Sequence, residues 1–380
     1  MIHRFRVQNF KSLEDISVDL GDVTVLVGRS GTGKTNFVTA LAYLRDYLYF
    51  GKPQNPELQD WHRLLPATKQ KQKCHMSFEL EFDVKGIQES FTYCVTLDQD
   101  GPSGPVTRES LRLGDQTFFA QAEGRWEVEP QLVSVPQPGP PAIGRIPSIS
   151  EIVIAYTALT SAIGCYDFPA TVLGDMDQRA GKTRISGLND DASNYLQTLK
   201  DIVSNLQDLN LRKSITATLQ RLNPSVSAVE LDSIQQPKHA VVGHKFDEKT
   251  LALTLAQESG GFRRFYAHLL ALYQLPPKQT LVFEEPENGI YPGALGLLAD
   301  EFKDAPSAGR GQVILTTHSP RLLDHFSEDQ IRVVDLDGFQ TRIGRISREQ
   351  REALQEQLLE PGELLTVDPA RIEDTESANA

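Results

Sequence analysis

Gly28-Arg29-Ser30-Gly31-Thr32-Gly33-Lys34-Thr35 follows the apolar, β-branched run Val23-Thr24-Val25-Leu26-Val27 and precedes a helical pattern of Phe37, Val38, Leu41, Leu44 and Leu48. A strand, a glycine-rich turn and a Lys-Thr pair opening a helix form the context of a phosphate-binding loop. Glycines let backbone N–H groups close around phosphate oxygens. The helix N-terminus adds partial positive charge. Gly28, Arg29, Ser30, Gly31, Thr32, Gly33 and Asn36 are therefore expected around a triphosphate, with Lys34 reaching its β- and γ-phosphates. Thr35 is expected to hold Mg²⁺ through its hydroxyl. The expected ligands are ATP and Mg²⁺.

Two further strands carry chemistry at their ends. Leu281-Val282-Phe283-Glu284-Glu285-Pro286-Glu287 is an apolar run ending in adjacent carboxylates, and ligands of open α/β sheets bind beyond such ends. Glu284 suits a metal contact through water. Glu285 suits orientation of the water that attacks the γ-phosphate. Gln312 to Pro320 is a second buried strand ending in His318, which can donate to a γ-phosphate. Ser319 then reads as an N-cap and Pro320 as the first helical residue. Ser259-Gly260-Gly261 opens a helix with the apolar stripe Phe262, Phe265, Tyr266, Leu269, Leu270 and Tyr273. One triphosphate does not need two such helix starts. Ser259, Gly260 and Gly261 are therefore expected either to reach a nucleotide held by another chain or to form an ordinary N-cap.

Composition bounds the class. The chain has 380 residues, enough for one large or two modest cores, and a net charge of −13. An acidic chain is a poor indiscriminate binder of nucleic acid. Its densest basic run, Lys69-Gln70-Lys71-Gln72-Lys73, reads as a solvated loop. Cys74, Cys94 and Cys165 lack metal or redox spacing and read as reduced thiols of a cytoplasmic protein. No apolar stretch approaches the ~20 residues of a membrane span.

In chain order, Ile2 to Val7 alternates as a strand, with Ile2, Arg4 and Arg6 expected on one side and Phe5 and Val7 on the other. Ile16 to Leu20 follows as a second strand, and Gly51 to Lys73 reads as loop with at most a short helix. Met76–Val84, Phe91–Leu97, Val106–Leu113, Thr117–Ala120 and Trp126–Val128, punctuated by Gly101, Gly104, Gly114 and Gly124, predict an antiparallel β-lobe. Pro136 to Pro141 is the clearest linker. Asn194–Leu206 and Ile215–Leu222 predict helices too short for a coiled-coil arm. The last quarter alternates strand and helix, the sign of a parallel sheet. The expected divisions are 1–150 with the loop and β-lobe, a helical insertion at 151–235, a second lobe at 236–367, and a disordered acidic tail at 368–380.

The order of these motifs resembles the ABC-type ATPases of the SMC and RecF group. Asn9-Phe10-Lys11-Ser12-Leu13 and Gly33-Lys34-Thr35-Asn36 are similar to that group's opening. Glu285-Pro286-Glu287-Asn288-Gly289-Ile290-Tyr291-Pro292 looks like the stand-alone, RecF-like "AAA" ATPases of bacteria. The resemblance implies an α/β P-loop NTPase with an ABC-type head: antiparallel β-lobe, mixed or parallel core sheet, short helical insertion and no long coiled coil. It implies a homodimer formed on ATP binding, with Ser259 and Gly261 of one chain facing Lys34 and Thr35 of the other. Glu287 to Ile290 would be the D-loop, and Lys11 would touch the phosphates. It also implies a separately encoded nuclease or Toprim-type effector, a link to DNA maintenance or anti-phage defence, and no membrane partner. Glu284 stands where the family usually has Asp, Tyr291 where it often has His, and Ser30 where it often has Asn. Gln116, Gln121 and Gln178 are the Q-loop candidates. The competing classes are a transporter ATPase subunit, which the Phe10-Lys11-Ser12-Leu13 entry disfavours, and a P-loop kinase or GTPase, for which no Asn-Lys-x-Asp guanine reader exists here.

Overall fold

A computed structural model of the chain describes residues 1–69, 74–98, 106–122, 125–128, 141–146, 149–174, 186–205, 209–235 and 237–373. Outside the described residues lie most of the basic run at 70–73, Gly101, Gly104, Gly124, the proline-rich linker up to Pro140, Gln178, Leu206 and the tail from 374. Two compact units emerge: unit 1 is 1–163 with 327–380, and unit 2 is 164–326. These boundaries differ from the lobes expected at 1–150, 151–235 and 236–367, because the last strands and helix of the chain pack with its first segment.

Unit 1 begins with β1 (Ile2–Phe10) and β2 (Leu13–Asp19), an antiparallel pair. A register shift between Ile2 and Arg4 moves Ile2 onto the buried face with Phe5 and Val7, leaving Arg4 and Arg6 outside. The strict alternation read from sequence missed this bulge, which inserts one unpaired residue. β3 (Val23–Val27) is buried throughout and leads through the glycine-rich turn into α1 (Lys34–Phe50). The polar segment after it holds one 3₁₀ turn and the short α2 (Trp61–Leu64). The β-lobe follows as β4 (Met76–Phe82), β5 (Phe91–Leu97), β6 (Val106–Leu113), β7 (Gln116–Ala122) and β8 (Arg125–Val128). With β2 and β1 they form one seven-stranded antiparallel sheet in the order β2-β1-β4-β5-β6-β7-β8. β4 and β5 bury every second residue, Met76 to Phe82 and Phe91 to Leu97, as a half-buried sheet requires. Phe5, Phe10, Tyr43 and Phe78 cluster between this sheet and α1, with Phe78 stacked on Phe5 and Tyr43. α3 (Ser150–Leu159) closes this part of unit 1.

Unit 2 begins within β9 (Ile163–Tyr166), at Gly164. Its helical part is α4 (Tyr195–Ser204) and α5 (Leu209–Leu222). A three-stranded antiparallel sheet comes next: β10 (Val226–Leu231), β11 (Ala240–Phe246) and β12 (Lys249–Thr254). α6 (Gly260–Tyr273) precedes β13 (Thr280–Phe283), and α7 (Leu295–Ser307) precedes β14 (Gln312–Thr317). β13 and β14 pair in parallel with every residue buried, the signature of a sheet covered on both faces. α8 (Pro320–Leu323) ends the unit.

The chain then returns to unit 1. β15 (Ile331–Asp337) pairs in parallel with β3, and β16 (Gln340–Gly344) pairs antiparallel with β15. α9 (Arg348–Gln355) follows. Residues 368–373, expected within a disordered tail, pack on this segment: Ile372 bridges Ile346, Gln350 Nε2 donates to Asp368 Oδ2 at 2.8 Å, and Arg351 meets Glu373 at 2.6 Å. None of the helices among the described residues is long and apolar enough to cross a membrane.

Candidate functional site

The glycine-rich turn of unit 1 is built from its own backbone, Asn36 at the start of α1, and two side chains brought from elsewhere. Gly33 takes φ +107°, and a Cβ there would fall 2.1 Å from Thr341 Oγ1 and 2.9 Å from Ser12 Oγ. Only glycine fits both the dihedral and the space. Thr341 Oγ1 donates to the Thr32 carbonyl at 2.8 Å and lies 2.6 Å from Ser12 Oγ. Asn36 Nδ2 donates to Ser12 Oγ at 2.7 Å, and Thr32 Oγ1 donates to the Arg29 carbonyl at 2.9 Å. The turn is thus sewn to β16 and to the β1–β2 turn by neutral groups.

Lys34 is 5% exposed, and its Nζ donates to the carbonyls of Gly28 at 2.7 Å and Arg29 at 2.9 Å. Its ammonium is held inside the ring of the turn. Gly28 lies against the Val334 carbonyl of β15. Arg29, Ser30, Gly31 and Thr35 are exposed. The first turn of α1 has no acidic residue and no side-chain cap, so the positive end of its helix dipole meets no carboxylate from its own first turn. Lys11 sits at φ +50°, donates its N–H to the Leu64 carbonyl at 2.5 Å, and places Nζ 5.9 Å from the Phe10 ring centre. Asn36 is thereby a brace for the loop in this structure. Ser12 and Thr341 were not anticipated; they are 329 residues apart.

In unit 2, β13 delivers Glu284 and Glu285 from a fully buried strand. The Glu284 N–H donates to the Tyr166 carbonyl at 2.9 Å, fixing the strand end. Glu285 adopts φ +42°, a region that non-glycine residues seldom visit. Such strain persists only where surroundings over-determine it, and they do. The Glu285 N–H donates to Thr316 Oγ1 of β14 at 3.1 Å, and the Asn288 N–H donates to the Glu285 carbonyl at 3.0 Å. Asn288 Nδ2 donates to Glu285 Oε2 at 2.8 Å, while His318 Nε2 lies 3.4 Å from Oε1. Both carboxylate oxygens are oriented, and the Glu285 and His318 side chains remain about a third exposed (34% and 33%).

Glu287 ties the two strand ends together. Its Oε1 accepts from Thr317 Oγ1 at 2.8 Å, the His318 N–H at 2.8 Å and the Ser319 N–H at 3.1 Å. Its Oε2 is buried without a hydrogen-bond partner among the described residues. Ser319 caps α8, accepting from the Leu322 N–H at 3.2 Å, as its pairing with Pro320 predicted. A fourth acid joins Glu284, Glu285 and Glu287 unannounced. Asp167, next after β9, has its pKa raised by burial first and by the Glu285 charge second, with Arg264 opposing. Its signal in the sequence was a four-residue apolar run, Ile163-Gly164-Cys165-Tyr166, too short to stand out.

Ser259 is the N-cap of α6, accepting from the Phe262 N–H at 3.2 Å, and both it and Gly260 are exposed. Gly261 packs against the loop after β13, where a Cβ would fall 3.0 Å from the Gly289 carbonyl oxygen. Arg264, one turn along, donates Nη1 to the Asn288 carbonyl. His268, another turn along, is wholly buried against Phe168, Phe283 and Phe302. Burial lowers its pKa to about 4, and its Nδ1 lies 2.7 Å from the Arg264 carbonyl, so the neutral ring donates there. α6 thus joins the serine-capped turn to the acid-bearing loop within unit 2.

Two family models match the chain. One, described as "AAA ATPase domain", covers residues 1–123, and the other, "AAA domain, putative AbiEii toxin, Type IV TA system", covers 142–324. No curated protein matches the chain in sequence. Among solved structures, one titled as the SmcHead bound to the C-winged helix domain of ScpA is similar at 15% identity with TM-score 0.56, covering 92% of this chain and 99% of that one. A second is an Smc head domain with an extended coiled coil bound to the C-terminal domain of ScpA, derived from Pyrococcus furiosus. It is similar at 13% identity with TM-score 0.55, covering 94% of this chain and 99% of that one. At these identities the likeness establishes the fold. That fold is an SMC head-like P-loop architecture of mixed α/β sheets with modest helices and, among the described residues, no long coiled coil.

Proposed function

We propose that this chain is an SMC/RecF-like ABC-type ATPase that binds and hydrolyses ATP as a dimerising switch, a reading supported by the two AAA family models and the SMC head-like fold. The observation that carries this reading is Glu285, strained, with one carboxylate oxygen held by Asn288 and the other facing His318. A carboxylate fixed in this way can orient and deprotonate a water. His318 would sense the γ-phosphate by hydrogen bonding.

The glycine-rich turn fits a triphosphate. Lys34 supplies a buried ammonium, and Gly28 through Asn36 surround an α1 terminus with no acid in its first turn. Lys34, Thr35 and the backbone of Gly31 to Gly33 would bind the phosphates. Toward magnesium, Thr35 would offer its hydroxyl and Glu284 its carboxylate, hard oxygen ligands of the kind Mg²⁺ takes alongside phosphate and water. Bound with ATP, Mg²⁺ would neutralise charge on the phosphate oxygens. Lys11 would add a further phosphate contact.

Ser259, Gly260 and Gly261 would close on the nucleotide of a second copy of the chain. Support comes from the exposure of Ser259 and Gly260 and from the link between α6 and Asn288 through Arg264. The dimer would then control a separately encoded effector, a nuclease or Toprim-type protein, in DNA maintenance or anti-phage defence. The toxin–antitoxin wording of one family model supports a defence setting. The similar Smc head bound to ScpA supports recruitment of a partner protein.

The test is sizing of Glu285→Gln by light scattering with and without ATP. The expected result is one chain without ATP and two with it. A single chain under both conditions would remove the dimer model. Measuring ATPase activity with and without DNA at several salt concentrations tests the nucleic-acid link, since a phosphate-backbone contact weakens as salt rises. Absence of stimulation at low salt would count against a direct DNA role.

A further inference from the structure

Unit 2 contains a concave feature that shares no residue with the acid loop. A cavity of about 460 Å³ lies among α4, α5, β10 and α6. That volume is within the range of small-molecule sites, roughly 300–1,000 Å³. Leu199 and Ile202 of α4, Ile215 of α5 and Val229 of β10 give it a buried apolar wall.

Two polar features point to an occupant. Arg212 and Lys213, neighbours on α5, are the charged residues of the lining, and among the described residues no carboxylate joins them there. In a chain of net charge −13, a cavity whose charged lining residues, among those described, are both cations runs against the composition and favours an anion. Tyr266 of α6 forms another part of the wall. Its side chain is wholly buried, and its phenol hydroxyl has no hydrogen-bond partner among the described residues. Burial keeps that hydroxyl protonated, so it remains a donor, and it lies close enough to Arg212 to feel the guanidinium charge. A buried donor left without an acceptor is costly and calls for an explanation.

We propose that this cavity binds a small amphipathic anion, an apolar chain or ring bearing a carboxylate or a phosphate. Its body would lie along Leu199, Ile202, Ile215 and Val229. Its acid group would meet Arg212 and Lys213, with one oxygen accepting from the Tyr266 hydroxyl. Tyr266 shares α6 with Ser259, so an occupant touches the helix whose first turn the proposed dimer uses. The binding itself does not depend on that reading.

The experiment is calorimetric titration of the full chain, without nucleotide, with decanoate, decyl phosphate, decanol and decylamine. One anion should bind at one site about tenfold or more tightly than decanol or decylamine, as expected when a charged hydrogen bond is gained. The tighter of the two anions identifies the head group. Reversing the mouth charges with Arg212→Glu and Lys213→Glu, at positions that are at least partly exposed, should abolish the preference without moving the melting temperature. Tyr266→Phe, which removes one oxygen atom, should weaken anion binding about fivefold. Equal binding of all four compounds, anion binding unchanged by the charge reversal, or no binding of either anion would overturn the proposal.

Discussion

The glycine-rich turn of unit 1 and the acid loop of unit 2 both follow a buried strand, and both contain backbone at positive φ, but opposite chemistry holds them in place. Around the turn, Ser12, Thr341 and Asn36 supply hydroxyls and an amide. Around the acid loop, Glu287 gathers three donors on one oxygen, and Glu285 is gripped by Asn288 beside His318. A loop meant to receive an anion cannot be braced with carboxylates, because each would repel the ligand. A loop meant to activate water has carboxylates as its working groups and can spare one for scaffolding. The difference also sets the strain. Glycine takes positive φ without penalty at Gly33, whereas Glu285 takes it at a cost of order 1 kcal/mol or more.

The sharpest way to break the comparison is to remove the working charge of each loop in turn. Glu285→Gln keeps the shape and the Asn288 contact but removes the carboxylate proposed as base. Turnover should fall about 10²- to 10⁴-fold while equilibrium ATP affinity stays within a few-fold, measured by single-turnover hydrolysis and by nucleotide titration. Retention of near-normal turnover would show that water is activated elsewhere. Lys34→Ala should do the reverse at the binding step, costing on the order of a hundredfold in ATP affinity through loss of the main counter-charge. Full affinity in that variant would separate the turn from phosphate binding.

A third prediction uses acid. His268 in unit 2 is buried neutral with a pKa near 4. Unfolding releases it to its ordinary value near 6.5. Between those values the unfolded chain binds the extra proton, so its contribution is present above pH 6.5 and is lost as pH falls toward 4. The full loss approaches about 3 kcal/mol. Urea unfolding at pH 7.5 and 5 should show the decline, and His268→Phe should shrink it. Ser12, Thr341 and Asn36 carry no group that titrates in this window, so the neutral brace of the turn should not add to it.

What was legible in the sequence follows from the same contrast. Phosphate-loop chemistry is local, so Val23 to Leu48 could be read as strand, turn and helix. The strands Thr280–Phe283 and Gln312–Leu315 announced themselves as apolar runs and are buried throughout. The braces were silent because they are non-local. Thr341 sits on Gln340–Gly344, a strand with one buried residue and no apolar pattern, and nothing at Ser12 points 329 residues downstream. Asp167 ends a run too short to register, and His268 lay unmarked within an apolar stripe. The bulge at Ile2 inverted the alternation there, because an extra residue changes which side chains share a face. Residues 368–373 look solvated by composition, yet Ile372 and the side chains of Asp368 and Glu373 anchor them.

The smallest predicted effect tests the comparison most finely, because it removes one hydroxyl from each loop and leaves shape nearly unchanged. Thr341→Val deletes the donor to the Thr32 carbonyl and the contact with Ser12. Thr316→Val deletes the acceptor of the Glu285 N–H. Each should cost about 1 kcal/mol of stability, near the typical worth of one buried hydrogen bond. Their kinetic consequences should diverge. Loosening the turn should raise KM for ATP a few-fold with kcat intact, since only the grip on phosphate changes. Loosening the strained Glu285 peptide should lower kcat with KM intact, since the base loses its fixed aim. Steady-state ATPase kinetics on the two variants distinguish these outcomes. If Thr341→Val lowered kcat, or Thr316→Val raised KM alone, the division between a neutral brace for binding and an acidic brace for hydrolysis would fail.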